Sequence, residues 1–211
     1  MDAPDVVLEI SVDECWTTPD HGSMALDLTG VDLTTAVVHT ARLVLRPFRP
    51  DDADAVFRAC QDPGHRRWLP NLPEPYTRAD AEEFVTVAAA RGRAGGTALD
   101  TAVEAGGGLV GACGVRHLDG GGGLLGPDVG YWTAPWARGR GYASEAARGL
   151  ADWAFRYGAE RVHLFADVDN VAAQTVAERA GFSREGVVRR CLAYRDGRRA
   201  DAVLFGRLRE G

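Results

Sequence analysis

Apolar residues alternate with polar ones in some stretches of this chain and recur every three or four residues in others; the two periods separate strands from helices. The first clear strand is ARLVLRPF, centred on Leu43, Val44 and Leu45. Pro50-Asp51-Asp52 then opens a helix. Acids in a first turn suit the helix dipole, and Ala53, Val56, Phe57 and Cys60 fall at i, i+3, i+4 and i+7 on one face. The proline-rich run DPGHRRWLPNLPEPY reads as loop. Thr77 and Asp80 form a capping-box pattern, with Asp in place of Glu, for a helix through Phe84 and Val87 to near Gly92. TALDTAVEA and LVGACGVRHL read as strands joined by a turn at Gly106–Gly108, and DVGYWTA as another strand after a glycine-rich loop. A helix is expected from Ala143 to Tyr157, with Ala143, Ala147, Leu150, Ala154 and Tyr157 as its apolar stripe. RVHLFADV is then a strand and AAQTVAERA a helix closed by Gly181. A final strand pair, ending in AVLFGRL, turns at Asp196-Gly197. Before all of these, Val6, Leu8 and Ile10 alternate as a short strand would, and MALDLTGVDL suits a second.

This order places an antiparallel meander beside strand–helix–strand crossovers, so an α/β or α+β protein with helices on both faces of one sheet is expected. Residues 1–39 read as an N-terminal arm or hairpin and 40–211 as a single domain. The net charge of −6 argues against a nucleic-acid partner, while leaving room for a local basic pocket. The four cysteines, Cys15, Cys60, Cys113 and Cys191, lie far apart with no C-x-x-C pair, so neither a metal site nor a disulfide framework is expected. No apolar run is long enough to span a bilayer, and the acidic start lacks the pattern of a signal peptide. The expectation is a cytoplasmic protein without a membrane partner.

The chain contains two formal G-x-G-x-x-G matches, Gly106–Gly111 and Gly121–Gly126. A dinucleotide fingerprint must open a helix, and both lead into strand-like sequence instead. The run RGRGYASEAA, from Arg138 to Ala147, has the right surroundings, with a strand before it and a helix after it. Free N–H groups at a helix start attract anions, glycines let phosphate oxygens approach, and arginine suits phosphate. The same letters also suit a solvated basic turn, and spacing alone leaves both readings open. The G-K-[ST] ending of a Walker A loop is absent, so nucleotide hydrolysis is not supported.

Arg138-x-x-Gly141-x-Ala143 resembles the [QR]-x-x-G-x-[GA] signature of the GNAT acyltransferase superfamily. The likeness extends over roughly residues 40–208. TARLVLRPFRPDDADAVFRA is similar to the family's first strand and helix, and DVGYWTAPWARGRGYASEA to its fourth strand, pyrophosphate loop and central helix. Asp169-Asn170 through Gly181-Phe182 is similar to the segment after strand five. The branch it resembles most is the RimJ/RimL type, which acylates protein N-termini or small-molecule amines.

The resemblance implies a mostly antiparallel sheet whose fourth and fifth strands splay apart, with a bulge in the fourth. It implies acetyl-CoA, or another acyl-CoA, with its pyrophosphate on the loop Arg138, Gly139, Arg140, Gly141, Tyr142, Ala143 and Ser144. Trp132 and Thr133 match the strand end that pairs with the pantetheine arm, Asn170 a pantetheine contact, and Arg179 a basic position near the phosphates. Acyl transfer by direct attack needs a neutral amine, so a base or a water chain must take a proton. A backbone N–H of the fourth strand is placed to stabilise the oxyanion. Asp128 matches a position where relatives carry a base glutamate; it reads equally well as a strand-end aspartate. Trp68, Tyr76, Tyr131 and Tyr194 would border the acceptor, though large aromatics as often serve the core. Two family positions differ. Ala177 stands where some relatives have a tyrosine acid, and Ala173 where the N-x-x-S motif has its serine. The function implied is N-acetylation of an amine by a monomer or homodimer; the alternative is an acyl-CoA-binding module without turnover.

Overall fold

A computed structural model of the chain describes residues 25–70 and 72–210; the strand expected at Val6–Ile10 lies outside them. The strands are β1 (Val38–His39), β2 (Val44–Arg46), β3 (Ala98–Ala105), β4 (Gly108–Arg116), β5 (Asp128–Thr133), β6 (Arg161–Asp167), β7 (Ser183–Ala193) and β8 (Arg199–Leu208). They form one sheet in the order β1-β2-β3-β4-β5-β6-β8-β7. The helices are α1 (Ala53–Cys60), α2 (Pro63–Trp68), α3 (Arg78–Glu83), α4 (Ala89–Ala94), α5 (Tyr142–Arg156) and α6 (Val171–Arg179). A π-helical turn, Phe84–Ala88, joins α3 to α4.

Every strand pair is antiparallel except β5–β6, which a helical crossover through α5 makes parallel. That pair has a single register contact, Asp128 opposite His163, beyond which the strands diverge toward their C-terminal ends. The expected splay is therefore present. The expected bulge in β5 is not: its register against β4 runs evenly from Arg116–Asp128 to Gly111–Thr133. The shift in this part of the sheet lies between β3 and β4, at Val103/Glu104.

Two apolar layers cover the sheet. On one face α5 buries Ala147, Leu150 and Ala154 completely against strand residues such as Leu45, Val115, Val162 and Phe205. Its alanines carry little side chain, and three members of the expected stripe sit at the centre of this layer. On the other face α1, α3 and the π-helical turn bury Val56, Ala81 and Val85 against Ala102 and Leu109. The Thr77 capping box forms as expected: Asp80 N–H donates to Thr77 Oγ1 (3.2 Å) and Thr77 N–H to Asp80 Oδ2 (2.7 Å).

Two segments differ from the sequence reading. The run 62–76 is not all loop, because Asp62 caps α2 by accepting the His65 N–H (3.2 Å) and Pro63 takes the first helical position. The described part of MALDLTGVDL is turns rather than strand. Asp27 and Asp32 accept the N–H groups of Thr29 (3.1 Å) and Thr34 (2.9 Å), local bonds that compete with a ladder, and Gly30 takes φ +77° between them. The alternating leucines still reach the core, with Leu26 and Leu33 buried.

Candidate active site

The loop before α5 is shaped by two glycines. Gly139 and Gly141 both have φ +77°, a conformation other residues adopt only under strain. Gly141 is the N-cap and supplies no side chain to the helix start, and the first α5 bond of this turn is Glu145 N–H to Gly141 C=O (3.1 Å). The N–H groups of Tyr142, Ala143 and Ser144 are thus the unmatched donors of a fifteen-residue helix, at its positive end. Two arginines flank them. Arg140 is exposed. Arg42 lies over the Tyr142 ring (5.2 Å) and donates to the Arg140 carbonyl (3.1 Å). Glu145 locks this corner, accepting from Thr40 Oγ1 (2.6 Å), Arg42 N–H (2.8 Å) and Arg42 Nε (2.6 Å). Burial opposes its ionisation, but these bonds prevail and hold its carboxyl below the ordinary value.

The wedge between β5 and β6 opens toward this loop. From Asp128 to Thr133 the strand advances five residues, about 17 Å at strand rise. Close approach at its far end depends on Gly111: a Cβ there would lie 2.3 Å from the Trp132 carbonyl oxygen. Tyr131 donates its hydroxyl to the Ala173 carbonyl on α6 (2.9 Å), and burial raises its pKa. Asn170 caps α6, its Oδ1 accepting the Ala173 N–H (3.1 Å), which leaves its amide NH2 as a donor beside the wedge. Arg179 is exposed in the last turn of α6, and its carbonyl accepts from Arg148 of α5.

At the closed end His163 Nε2 stands 3.8 Å from Asp128 Oδ1. Burial pushes the Asp128 carboxyl up, against the pull of His163, Arg116 and His117. Burial likewise lowers the His163 imidazole, against the pull of Asp128. The two thus favour their neutral forms more than isolated groups would. Asp128, Gly130 and Trp132 share one strand face. Above Gly130 that face is open, since a Cβ there would meet only Arg116 Nη1, at 4.0 Å. That open space lies on the same strand face as the carboxyl of Asp128.

Arg138 does not point into a free anion site. Its Nη2 contacts Asp62 Oδ1 (2.5 Å) and His65 Nδ1 (3.1 Å). The guanidinium holds the Asp62 carboxyl down at about 2, while burial and Arg138 keep His65 below its ordinary pKa. Asp62, His65 and Arg138 thus form one cluster, and the His65 ring meets Trp132 edge-on (5.3 Å). The loop is braced to α2 through this cluster.

Trp68 and Tyr194 line one cavity of about 560 Å3, between the α2–α3 side and the β7–β8 hairpin. Tyr76 and Tyr131 do not line it; Tyr76 packs partly buried against the α1/α3 layer. Tyr194 donates to the buried Asp167 carboxylate (2.7 Å), and burial with that carboxylate raises its hydroxyl to about 12.

The family profile described as Acetyltransferase (GNAT) domain matches residues 42–183. The chain belongs to the GNAT acetyltransferases. It is an N-acetyltransferase, and the donor of this family is acetyl-CoA. The fold is shared with Mycobacterium smegmatis RimJ in complex with CoA-disulfide: 23% identity, 82% of this chain and 87% of that one, TM-score 0.71. It is shared with RimL, a ribosomal L7/L12 alpha-N-protein acetyltransferase in complex with CoA: 19% identity, 82% and 98%, TM-score 0.67. It is also shared with the microcin C7 self-immunity acetyltransferase MccE in complex with acetyl-CoA and AMP: 16% identity, 81% and 94%, TM-score 0.70. No curated protein matches the chain by sequence.

Of the residues chosen by resemblance to GNAT proteins, Trp132 and Thr133 lie on the β5 edge and Gly139 to Ser144 at the α5 start, whereas Arg138 turns to α2 and Asn170 and Arg179 lie at the two ends of α6. Those that sequence reasoning missed in this acetyltransferase are partners across long separations: Arg42 with Glu145, His163 with Asp128, and Asp62 with His65 against Arg138. A buried-strand histidine in RVHLFADV was the one local signal for any of them.

Proposed function

We propose that this acetyltransferase moves the acetyl group of acetyl-CoA directly onto a primary amine, of a small molecule or a protein N-terminus, held between the α2 wall and the β7–β8 hairpin. One observation carries the reading. The uncapped start of α5 lies at the open end of a wedge whose closed end presents Asp128, with open space over Gly130. Acetyl-CoA supplies the acyl group as a thioester. The N–H groups of Tyr142, Ala143 and Ser144 hold its pyrophosphate, Gly139 and Gly141 give the loop its shape, and Arg140 and Arg42 add charge. The backbone of Trp132 and Thr133, free of β6, pairs with the pantetheine amides, and Asn170 donates from its NH2. Arg179 approaches the phosphates from α6.

Asp128 takes the proton of the acceptor ammonium, directly or through water. Its raised pKa brings it nearer to the amine than an ordinary carboxylate stands, and His163 steadies the charge. The unpaired edge of β5 offers N–H donors where negative charge develops on oxygen. A thiolate leaves without a strong acid, since a thiol is far more acidic than an alcohol. Ala177 at the family's tyrosine position is compatible with that, and Tyr194, spent on Asp167, is not cast as the acid.

The reading is tested by thiol release from acetyl-CoA across a panel of primary amines and N-terminal peptides, with mass spectrometry of the products. Release matched by N-acetylated product supports it. Tight acetyl-CoA binding without release across the panel contradicts it.

A further inference from the structure

The cavity beside Trp68 and Tyr194 gathers four arginines in a chain whose net charge is −6. Arg66 and Arg67 line it from α2, Arg195 and Arg198 from the hairpin. Each wall lays a guanidinium on an aromatic ring: Arg67 on Trp68 (4.4 Å) and Arg198 on Tyr194 (3.8 Å). Stacking holds the plane of a guanidinium and leaves its N–H edge free to donate.

The carboxylates nearby are largely engaged. Glu74 faces Arg66 (3.9 Å), and Asp196 accepts the Arg198 backbone N–H (2.9 Å) inside the hairpin turn. Asp167 accepts the Tyr194 hydroxyl (2.7 Å) and lies 3.7 Å from the Arg198 guanidinium. Arg67 forms no ion pair among the described residues. The remaining acid of the lining, Asp169, stands in the β6–α6 loop next to Asn170. The lining thus joins one acid, Asp169, to an arginine stacked on an aromatic ring at each wall.

We propose that this cavity selects an acceptor whose amine is linked to an oxyanion, a carboxylate or a phosphate, and that Arg67, aided by Arg198, binds that oxyanion. The inference rests on the amine-acetylation reading above and gives it a substrate class. The chain's net charge of −6 does not oppose it, because screening limits exposed charges to about 8 Å at physiological salt.

The test compares matched acceptors that differ in the anion: β-alanine with β-alaninamide, and phosphoethanolamine with ethanolamine. In the native enzyme kcat/KM should favour the anionic member by about tenfold or more, the scale of a charge-assisted hydrogen bond. Arg67→Gln should bring that ratio close to unity. Whichever anionic acceptor leads tells carboxylate from phosphate. Equal or better rates with the neutral members, or a ratio that survives both Arg67→Gln and Arg198→Gln, overturns the proposal. If no amine is acetylated, the amine reading falls first, and calorimetry with β-alanine and phosphoethanolamine still decides the oxyanion site. Binding lost in Arg67→Gln supports the site; binding absent from the native protein, or equal in both, removes it.

Discussion

Arg138 Nη2 lies 2.5 Å from Asp62 Oδ1, and this contact joins the loop before α5 to the cap of α2, the helix that lines the cavity beside Trp68. Its partners are 76 positions apart in sequence. The arginine of the family signature thereby acts on α2 as well as on the loop.

Replacing Asp62 by Ala is expected to loosen α2 more than the sheet. The pair is partly exposed, and pairs of that kind contribute roughly 0.2–1 kcal/mol. The amine KM should rise about two- to fivefold, measured at saturating acetyl-CoA. The contact also has a pH window. Because Asp62 is held down at about 2, the joint persists at neutral pH and is lost as pH falls from about 4 toward 2. A KM that moves only for acetyl-CoA would separate the joint from the acceptor wall.

Gly141→Val puts a β-branched residue at φ +77°, with its Cβ 3.5 Å from Arg42 Nη2. Strain of this kind costs on the order of 1–3 kcal/mol. Calorimetry should show acetyl-CoA binding weakened about tenfold or more in a variant whose circular dichroism is unchanged. Unchanged affinity would displace the pyrophosphate from this loop.

Asp128→Asn should lower kcat by roughly 10²–10⁴, the usual contribution of a positioned base. In the native enzyme the rate should fall with falling pH as Asp128 is protonated, at a pH above that of an ordinary carboxylate because burial raises its pKa. His163→Gln removes an attraction that lowers that pKa, so the acid limb of the pH–rate profile should move to higher pH. A limb that stays in place in His163→Gln would show that the two residues do not act together.

Away from the site, a buried ion-pair cluster centres on Arg46. Its guanidinium makes two bonds to Asp52 (2.7 and 2.9 Å) and one to Glu104 (2.6 Å), and both Arg46 and Asp52 are buried. Arg46→Ala leaves the Asp52 charge buried and unpaired, which should cost about 3–5 kcal/mol in denaturant unfolding. A loss below 1 kcal/mol would mean that Asp52 finds another partner.

Local chemistry was legible in the sequence. The Thr77 capping box, the Ala147–Leu150–Ala154 stripe and the helix start after Gly141 each depend on residues a few positions apart. Hidden features had one of two causes. The run from Asp62 holds a proper cap and a first-position proline, but Gly64 and the later prolines masked a six-residue helix. Between Leu26 and Leu33, alternation imitated a strand while aspartate side chains wrote turns. At the site, Asp128 was readable as a strand-end acid, whereas His163 joins it only because β5 and β6 meet once before diverging. No spacing rule reports such a contact across a helical crossover.

The most direct test of this account is a crystal structure of the protein with CoA. The account predicts pyrophosphate oxygens within hydrogen-bond distance of the Tyr142, Ala143 and Ser144 N–H groups, and the thiol on the β5 edge near Gly130, facing Asp128. A pyrophosphate bound away from the α5 start, or a thiol outside the β5–β6 wedge, would contradict it.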